Sequence, residues 1–379
     1  MENLISKVLD KQNLKIAYEK VVRNKGVGGV DKLEVSDLKA YLKENWYDLK
    51  LQIEQGKYQP QAILGVEIPK SNGKKRLLGI PTVFDRMLQQ AVYQVLEPIF
   101  EPDFSDYSFG FRPRRSAGQA ILQAQEFINQ GYNHIIDIDL KSFFDLVNQD
   151  FLMTLIYRKV QDPLLLRLIL KFLHAPIEIS GRLKRRRKGV PQGSPLSPLL
   201  SNIILNELDK ELENRSLRFV RYADDFSIFV RSSFSAIRVK ASIKRFIESK
   251  LHLQINEDKS SIVRPLKYEY LGYAFVSSYK KGDRGKYNLV VSKSSFKELK
   301  RKIKYITKKV IPASFDERIL RLKWLMRGWL NYFKHASMQV KLKGLDSWVR
   351  SRLRYCIWHD WNRAIASSRT PLKLYKKSE

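Results

Sequence analysis

Apolar and polar residues alternate along two short stretches of the chain that also carry acids. Residues 219–230 read FVRYADDFSIFV, in which two runs rich in Val, Ile, Tyr and Phe surround Asp224 and Asp225. This pattern predicts a β-hairpin with the two acids at its tip. Residues 134–145 read HIIDIDLKSFFD, and their alternation predicts a second strand that carries Asp139. Pairing of the two strands would bring Asp139 close to Asp224.

The rest of the chain alternates between predicted helices and short strands. Apolar residues recur at helical spacing before residue 50 and over residues 84–100, 117–130, 149–159, 163–173, 199–212 and 235–251. Strands are predicted over residues 62–69, for a hairpin around Asn72-Gly73, for a hairpin turning at Ser180-Gly181, and over residues 268–276 with Gly272 inside the strand. A glycine inside a strand marks a place where another backbone or a primer strand comes close.

A glycine-rich segment separates the first predicted helices. Residues 24–31 read NKGVGGVD, and the three glycines, among them Gly28, allow positive φ and a close approach to a nucleic-acid partner. A plain connector between helices is the alternative interpretation.

The acids on the two central strands suggest a chemistry. Neighbouring carboxylates repel each other, so such a pair near a sheet surface usually persists because a cation lies between the acids. Two Mg²⁺ ions held about 3.5 to 4 Å apart by such carboxylates activate an attacking hydroxyl and stabilise a leaving pyrophosphate. A solvated surface turn is the alternative for Asp224 and Asp225 taken alone.

Composition favours a globular protein with a polyanionic partner. The chain has 379 residues, 44% of them hydrophobic, which is enough for a large core in two or three subdomains. Its 70 Lys and Arg residues against 39 Asp and Glu give a formal net charge of +31. Such an excess destabilises a folded chain by self-repulsion, so a bound nucleic acid is the leading explanation, ahead of an anionic membrane surface.

The single cysteine and the hydropathy of the chain indicate the cellular compartment of the protein. Cys356 is the only cysteine, which excludes internal disulfides and multi-cysteine zinc sites. The sequence contains no signal peptide and no apolar run near the roughly 20 residues that span a bilayer. We therefore expect a soluble, cytoplasmic protein.

Two basic loops are candidate contacts for phosphates. Residues 70–76 (KSNGKKR) place four cations around a tight turn, which suits the phosphates of an incoming nucleotide. Residues 106–116 (DYSFGFRPRRS) interleave aromatic rings with Arg112, Arg114 and Arg115, a combination suited to single-stranded nucleic acid. A solvated loop in the first case, and rings that anchor the loop to the core in the second, remain the alternatives.

The composition changes near the C-terminus. The 89 residues from Val291 onward hold 23 Lys and Arg against 6 Asp and Glu, more than half of the net charge. Helices are predicted over residues 293–310, 316–336 and 344–367. The first of these helices has an apolar face and a second face that carries Lys297, Arg301, Lys304 and Lys308. A helical bundle with such a face would lie along a duplex and follow its phosphates without reading sequence.

In their order along the chain, these stretches resemble the reverse transcriptases encoded by bacterial group II introns, also called maturases. The motifs that carry the resemblance are NKGVGGVD, IPKSNGKKRLLGIPTVFDR, SFGFRPRRSA, DIDLKSFFD, GVPQGSPLSPLLSN, RYADD, NEDKS and YLGYAF. RGWLNYF, residues 327–333, is similar to the maturase-specific domain. The resemblance extends from about Met1 to Arg363, which is nearly the whole chain.

The resemblance implies a metal site and an acid. The carboxylates of Asp139, Asp224 and Asp225, with the backbone carbonyl of Leu140, would hold two Mg²⁺ ions, for which Mn²⁺ would substitute. Lys259 would protonate the leaving pyrophosphate.

The resemblance also implies contacts to the incoming nucleotide. Lys70 and Arg76 would contact its triphosphate, and Gln192 would pack near the nascent base pair. Phe144 would be a steric gate, an aromatic ring that collides with a ribose 2′-hydroxyl and so favours deoxynucleotides. Asp137 has no such assignment, and we interpret it as an acid on the strand surface.

The implied fold is α+β, a right-hand polymerase whose fingers and palm pack an antiparallel sheet on helices and whose thumb is α-helical. We expect an N-terminal extension over residues 1–60, fingers and palm over 61–280, and a helical thumb or maturase-like domain over 281–379. The implied activity is extension of a DNA primer on an RNA template with deoxynucleoside triphosphates. The template would be group II intron RNA, which the chain would also bind to assist splicing.

Three alternatives stay open. The chain would act mainly as an RNA-binding splicing cofactor, or as a domesticated reverse transcriptase in phage defence or DNA repair, or as an RNA-dependent RNA polymerase, which Phe144 disfavours. Many relatives continue into a DNA-binding segment and a metal-dependent endonuclease, whereas this sequence ends at Glu379. We therefore expect no cleavage of a DNA target by this chain.

Overall fold

The chain folds into two compact units in a computed structural model. The model describes residues 3–69, 73, 75–279, 282–283, 285–309, 311 and 313–368, with side chains described up to residue 359. The first unit comprises Met1–Ala120 and Tyr132–Val263, and the second comprises Ile121–Gly131 and Arg264–Glu379.

Helices form a large part of both units, and their positions follow the predicted periodicity. The helices are α1 (Leu4–Val8), α2 (Lys11–Asn24), α3 (Leu38–Glu54), α4 (Val83–Phe100), α5 (Ala117–Asn129), α6 (Phe143–Leu146), α7 (Gln149–Tyr157), α8 (Pro163–His174), α9 (Ser197–Asn214), α10 (Ser233–Ser249), α11 (Lys293–Ile306), α12 (Phe315–Tyr332) and α13 (Gln339–Ser368). Many begin at a polar cap, as in α4, where the Thr82 hydroxyl accepts a hydrogen bond from the Asp85 N–H at 3.2 Å.

Strands form three small sheets. The strands are β1 (Ile63–Pro69), β2 (Lys75–Ile80), β3 (His134–Ile138), β4 (Ile177–Ile179), β5 (Arg182–Lys184), β6 (Arg218–Tyr222), β7 (Asp225–Val230), β8 (Ser261–Val263), β9 (Glu269–Tyr270), β10 (Tyr273–Ser277) and β11 (Tyr287–Val291). The first unit contains the sheets β2-β1-β4-β5 and β6-β7-β3-β8, and the second contains β11-β10-β9. The pairing is antiparallel except between β1 and β4. The predicted α+β class is confirmed.

Two local expectations have different outcomes. Strands β1 and β2 pair antiparallel up to Pro69 and Lys75, as the predicted hairpin requires, although Lys70, Asn72 and Lys74 at its turn lie outside the described residues. The single strand expected over residues 268–276 is wrong. Leu271 and Gly272 both have positive φ, 49° and 81°, and make a two-residue turn between β9 and β10. The glycine therefore reverses the chain instead of lying inside a strand.

The sheet β6-β7-β3-β8 lies on the main hydrophobic core of the first unit. Ile136 and Ile138 of β3 and Phe226 and Ile228 of β7 are buried in this core, because alternate side chains of a strand point to the same face. Asp137 and Ser227 face each other across the same strand pair, on the opposite side of the sheet. Asp137 and Ser227 share that side of the sheet with the buried Ile135 and Phe229.

A buried ion pair ties helix α9 to strand β6. Arg221 and Asp209 are both 0% exposed, and the Arg221 Nε donates to the Asp209 Oδ1 at 2.8 Å. The Arg221 Nη1 also donates to the side-chain oxygen of Asn202, on the same helix, at 2.9 Å. A charge without access to water is tolerated only with such partners, so this pair fixes the helix against the strand.

The second unit contains a helical bundle. Leu299, Ile303, Leu322 and Leu345 of α11, α12 and α13 form its buried centre. Arg318 is 2% exposed and donates to the backbone carbonyls of four residues that surround the end of α11 and the turn after it: Ile306, Lys308, Ile311 and Ala313. One guanidinium thereby satisfies carbonyls that a helix end leaves without intrahelical partners.

Within the described residues, no helix is both long and apolar enough to cross a membrane.

Replacing Arg221 with Met should destabilise the first unit strongly. The change leaves the Asp209 carboxylate buried without its countercharge, which costs about 3–5 kcal/mol in the free energy of unfolding. Arg215→Met is the matched control, because Arg215 pairs with Glu211 at 3.6 Å and both side chains are about one third exposed. That change should cost at most about 1 kcal/mol. Urea unfolding followed by circular dichroism measures both.

The double variant Arg221→Met with Asp209→Leu should recover part of the loss, because it removes both buried charges. Equal unfolding midpoints for Arg221→Met and Arg215→Met would contradict the role given to the buried pair.

Candidate active site

The predicted hairpin with acids at its tip is present. Strands β6 and β7 pair antiparallel from Arg218 and Phe229 to Tyr222 and Asp225, which leaves a two-residue turn of Ala223 and Asp224. Ala223 has a φ of 59°, a conformation that costs about 1–2 kcal/mol for a residue with a side chain. The surrounding structure must therefore hold this turn in place.

Three contacts hold the turn. The Arg221 Nη1 donates to the Ala223 carbonyl at 3.0 Å. The Arg221 backbone bonds to Tyr107 and Phe109, each at 2.9 Å, so the loop before α5 lies beside β6 like a further strand. Gly110 in this loop packs on the turn so closely that a Cβ there would come within 2.2 Å of the Ala223 nitrogen. Any other residue at position 110 would push the turn, and Asp224 with it, out of place.

Asp139 follows β3 directly, and a polar turn surrounds it. The Asn256 side-chain amide donates to the Asp139 Oδ2 at 2.9 Å, and the Lys259 Nζ lies 3.2 Å from the same oxygen. The Asp139 N–H donates to the Ser260 hydroxyl at 3.1 Å. The NEDKS segment at residues 256–260 is thus the turn that orients the Asp139 carboxylate.

The acids influence one another electrostatically. The pKa of Asp225 is raised to about 6, first because protein atoms around its carboxyl desolvate it and then because of the charges on Asp224, Asp139 and Asp137, while Lys259 opposes the shift. Asp225 as a whole is exposed to solvent, so the protein atoms crowd only its carboxyl group. The pKa of Asp137 is raised mainly by burial, against a hydrogen bond from Ser227 at 2.9 Å. Desolvation is the main cause of both shifts, and the neighbouring acids add to it in each case.

The donor chemistry suits a hard divalent cation, because carboxylates and carbonyls are the ligands that Mg²⁺ prefers. Leu140 and Ile255 form an isolated β-bridge whose hydrogen bonds are made by the Asp139 carbonyl and the Lys141 N–H. The Leu140 carbonyl takes no part in these two bonds. Among the described residues, no three acidic, His or Cys side chains converge closely enough to hold a metal ion.

Phe144 lies in the short helix α6, just after Asp139 in the chain. It is 8% exposed, and its ring packs edge-on against Phe143 with 5.2 Å between ring centroids. The loop that follows β5 closes over this helix, because the Val190 N–H donates to the Phe144 carbonyl at 2.6 Å and the Gly189 N–H donates to the Val147 carbonyl at 2.7 Å. The predicted gate residue is therefore held by the loop that leads to Gln192.

Arg76 and Gln192, both predicted to lie near the incoming nucleotide, contact each other. The Arg76 Nε donates to the Gln192 Oε1 at 2.6 Å, and the Gly79 N–H donates to the Gln192 carbonyl at 2.7 Å. The structure therefore brings these two predicted residues together, one from β2 and one from the loop before α9. Lys70 lies outside the described residues.

The three arginines predicted to bind nucleic acid occupy different environments. Arg114 is exposed. Arg115 pairs with Asp106 at 2.5 Å and lies over the Phe109 ring at 5.7 Å from its centroid. Both remain near the surface.

Arg112 does not fit the prediction. Its side chain is 4% exposed and pairs with Glu101 at 2.9 Å. It also donates to the Ser108 carbonyl at 2.8 Å and lies over the Phe104 ring. Because protein groups satisfy this guanidinium inside the fold, Arg112 braces the loop instead of presenting a charge to nucleic acid.

Gly28 has an internal role. A Cβ at this position would come within 2.8 Å of the Leu33 carbonyl oxygen, so the absence of a side chain lets the loop close on itself. The described glycines with positive φ do not include Gly28. The close approach expected toward a partner is thus made within the chain.

The four predicted contacts are exposed, and α11 ends at Ile306, so Lys308 follows this helix instead of lying on it as predicted. Lys297, Lys304 and Lys308 are in contact with solvent. Arg301 is 75% exposed, but Glu298 pairs with it at 2.7 Å. Lys304, Lys308 and Arg301 line a basic groove of about 810 Å³ within the second unit. The basic face expected for this helix is therefore present.

Four residues of the site were not singled out from the sequence: Asn202, Asp209, Arg221 and Asn256. A signal existed for Arg221, because it alternates with the buried Phe219 and so occupies an inward position of β6. A charge at such a position requires a buried partner. No comparable signal marks Asn256, whose contact with Asp139 joins residues far apart in the chain.

Two parts of the chain match known protein families. Residues 68–275 match the family described as reverse transcriptase (RNA-dependent DNA polymerase). Residues 296–373 match the maturase-specific domain of group II introns.

Two curated bacterial proteins are similar over much of the chain. Protein YkfC of Escherichia coli is 34% identical over 62% of this chain and 71% of YkfC. The group II intron-encoded protein LtrA of Lactococcus lactis subsp. cremoris is 31% identical over 68% of this chain and 54% of LtrA. The chain thus spans about half the length of LtrA.

A solved structure supports the fold. The telomerase of Candida albicans has a TM-score of 0.50 and 13% sequence identity, over 84% of this chain and 64% of that one. At that identity the likeness concerns the fold alone. The family match over residues 68–275 goes further: the chain belongs to the reverse transcriptase family, and its C-terminal part matches the maturase-specific domain of group II introns.

Proposed function

We propose that this chain is an RNA-directed DNA polymerase that extends a DNA primer on an RNA template, and that group II intron RNA is its natural partner. The observation that carries the proposal is the position of Asp139, Asp224 and Asp225 at the ends of β3, β6 and β7, in a chain that belongs to the reverse transcriptase family. Arg221 and Gly110 contact the turn at Ala223, so Asp224 keeps its position relative to the sheet.

The three carboxylates and the Leu140 carbonyl would hold two Mg²⁺ ions, for which Mn²⁺ would substitute. When bound, the ions would lower the pKa of the attacking 3′-hydroxyl and neutralise the charge that develops on the phosphates. The pKa of Asp225, raised to about 6 by desolvation and then by the charges of Asp224, Asp139 and Asp137, supports this assignment, because a cation between the acids would relieve their repulsion.

Lys259 has a second task in this proposal. A cation on Asp139 would compete with Lys259 for this carboxylate, which would free the ammonium group for another contact. Lys259 is 60% exposed on its side chain, so it is accessible to a leaving pyrophosphate, to which it would give a proton.

Four residues would select and orient the deoxynucleoside triphosphate. Arg76 and Lys70 would pair with its phosphates. Gln192 would hold Arg76 in a fixed geometry until the nucleotide enters, through the contact at 2.6 Å. Phe144 would exclude the ribose 2′-hydroxyl, because the loop that packs on α6 restricts where its ring can move.

Exposed cations would bind the nucleic acids. Arg114 and Arg115 in the first unit and Lys297, Lys304 and Lys308 in the second would contact phosphates, a mode that depends on charge and not on sequence. The aromatic Tyr305, which is 66% exposed beside the basic groove of α11, would add stacking on unpaired bases.

The match of residues 296–373 to a maturase-specific domain favours a second function, assistance to intron splicing. A protein of this kind stabilises the folded intron by binding it, so the function needs the basic surface and not the acids. A domesticated enzyme in defence or repair would have the same active site but another RNA.

Replacing Asp224 with Asn should abolish DNA synthesis while leaving RNA binding within about twofold. The change removes one anionic ligand without altering size, and a loss of about 10³-fold or more is the scale for an essential electrostatic group. Asp48→Asn, an exposed acid on α3, is the matched control and should keep full activity. Primer extension and filter binding measure the two effects, and robust synthesis by Asp224→Asn would rule out the proposed site.

Replacing Phe144 with Val should lower the preference for deoxynucleotides. Without the ring, a ribose 2′-hydroxyl fits, so the ratio of kcat/KM for deoxynucleotide over ribonucleotide should fall about tenfold or more. Phe143→Val removes the neighbouring buried ring and reports on loss of packing alone. An unchanged ratio in folded Phe144→Val, or an equal change in both variants, would remove Phe144 from the role of gate.

The intron partner is tested by sequencing the RNA that co-purifies with the protein from its host. We expect enrichment of one structured intron that contains this reading frame, and we expect Asp224→Asn to support its splicing at low Mg²⁺. Enrichment of a separate noncoding RNA, or of no particular RNA, would contradict the intron assignment while leaving the polymerase assignment intact.

A further inference from the structure

A buried glutamine with no part in the chemistry described above joins two distant points of the first unit. Gln149 is the first residue of α7 and is 2% exposed. Its side-chain Nε2 donates to the Leu173 carbonyl at 3.1 Å and to the Gly189 carbonyl at 2.9 Å. One amide group therefore holds both the last turn of α8 and the loop that follows β5.

These two carbonyls lie at the two ends of one excursion of the chain. The chain leaves α8 just after Leu173, forms β4 and β5, and becomes buried again at Gly189. Strand β4 pairs with β1 on one side and with β5 on the other. Gln149 thus clasps the base of the β4-β5 hairpin, and the path of the loop from Gly189 to Gln192 starts at this clasp.

The returning segment has little support of its own before it reaches the clasp. Residues 184–188 read KRRRK, and five successive cations repel one another. Four of them are exposed, and burial lowers the pKa of the partly buried Arg186, while the charge of Asp145 opposes this shift. A cleft of about 500 Å³, which Leu77 and Gln192 also line, borders the same segment. The loop to Gln192 therefore needs a fixed point where this segment ends.

Gly189 is held at both of its polar groups. Its N–H donates to the Val147 carbonyl at 2.7 Å, and its carbonyl accepts the bond from Gln149. Its φ is 83°, and a Cβ there would come within 2.6 Å of the Phe144 carbonyl oxygen, so the loop lies directly against α6. A displacement of Gly189 would also displace Val190, which donates to the same Phe144 carbonyl at 2.6 Å.

The hydrogen bonds of the Gln149 side chain are one-sided. Within the described part of the chain, its buried Oε1 has no hydrogen-bond partner. A buried polar atom without a partner lowers stability, which offsets part of what the two donated bonds contribute. Gln149 therefore differs from an apolar side chain of the same length mainly in where it places the two carbonyls.

We propose that Gln149 is a positioning residue for nucleotide selection. It would fix Gly189, and through Gly189 the loop that restrains the ring of Phe144 and brings Gln192 to Arg76. Because Gln149 is buried, it would act without touching the nucleotide. This inference rests on the proposed roles of Phe144, Gln192 and Arg76, and adds the group that keeps them in place.

Replacing Gln149 with Met removes both donated bonds and keeps the length of the side chain. The KM for the deoxynucleotide should rise about fivefold or more, because the loop that carries Gln192 can then shift. The ratio of kcat/KM for deoxynucleotide over ribonucleotide should fall about threefold or more, because the ring of Phe144 is less restrained. The kcat and the Kd for primer and template should stay within about twofold, since the acids and the basic surface are unchanged. Single-nucleotide primer extension and filter binding measure these quantities.

Lys171→Met is the matched control. Lys171 lies on α8 and donates to the carbonyls of Gly56 and Tyr58 at 2.8 and 2.7 Å. The change therefore also removes two bonds to backbone carbonyls of the first unit, but it leaves Gly189 in place, so the KM and the ratio should not change. Gln149→His keeps one N–H at a similar distance from the backbone and should restore part of the loss.

Hydrogen exchange followed by mass spectrometry tests the loop without any reaction. The protected amides of the peptide that spans residues 188–194 should exchange about tenfold faster in Gln149→Met than in the unmodified protein. In Lys171→Met they should exchange at the unmodified rate. Unchanged exchange in Gln149→Met would overturn the proposal, whatever the activity of the variant.

Two kinetic results would also overturn it. One is an equal rise of KM in Gln149→Met and Lys171→Met, which would indicate a general loss of stability. The other is an unchanged KM and ratio in Gln149→Met while Phe144→Val lowers the ratio. A failure of the proposed polymerase function would appear differently, as robust synthesis by Asp224→Asn, so the two failures are distinguishable.

Gly189→Ala tests the same point from the other side of the hydrogen bond and serves if Gln149→Met does not fold. The added Cβ has no room against α6 and would push the loop outward. We expect the KM and the ratio to change in the same directions as in Gln149→Met. Unchanged values in folded Gly189→Ala would contradict the proposed link between this position and nucleotide selection.

Discussion

The active site depends on one buried charge. Arg221 lies at the end of β6 with no exposure to water, and it is stable there only because Asp209 and Asn202 of α9 accept its hydrogen bonds. The same guanidinium bonds to the Ala223 carbonyl, in a turn whose positive φ would otherwise relax. Helix, strand and turn therefore form a single unit, in which the core determines where Asp224 lies. Asp224 thereby has a position as well determined as that of a buried residue, although it is not buried itself.

The same edge of the sheet concentrates negative charge that the protein does not fully neutralise. Desolvation of its carboxyl group by protein atoms, and then the charges of the neighbouring acids, raise the pKa of Asp225 to about 6, while Lys259 offsets part of the repulsion by its contact with Asp139. A site of this kind binds a cation well because binding relieves a cost that folding has already imposed. The contact between Lys259 and Asp139 also gives the lysine two uses in our proposal. It compensates the acid when no cation is bound, and it becomes available to the phosphates once Asp139 turns to the cation.

Local patterns predicted most of the elements because helices and hairpins are set by nearby residues. The β6-β7 hairpin, its pairing with β3 and the helices of both units all follow from period and turn chemistry. The failures concern what another segment does. Gly272 was placed inside a strand because the sequence around it is apolar on both sides, yet its positive φ makes a turn. Arg112 was assigned to nucleic acid, but Glu101 and Phe104 enclose it. The orientation of Asp139 depends on Asn256, a contact that no local pattern encodes.

The burial of some basic residues shows why net charge alone overestimates the protein surface that is available to nucleic acid. Within the described part of the chain, three arginines are buried, Arg112, Arg221 and Arg318, and no lysine is. An arginine offers five donors in a rigid plane and can satisfy several carbonyls or a carboxylate at once, whereas a buried lysine would lose its hydration for fewer, less directed bonds. Arginine therefore serves here as an internal brace, and lysine supplies the outward charge, as on α11, where the basic groove lies beside an exposed Tyr305 and suits bases and phosphates.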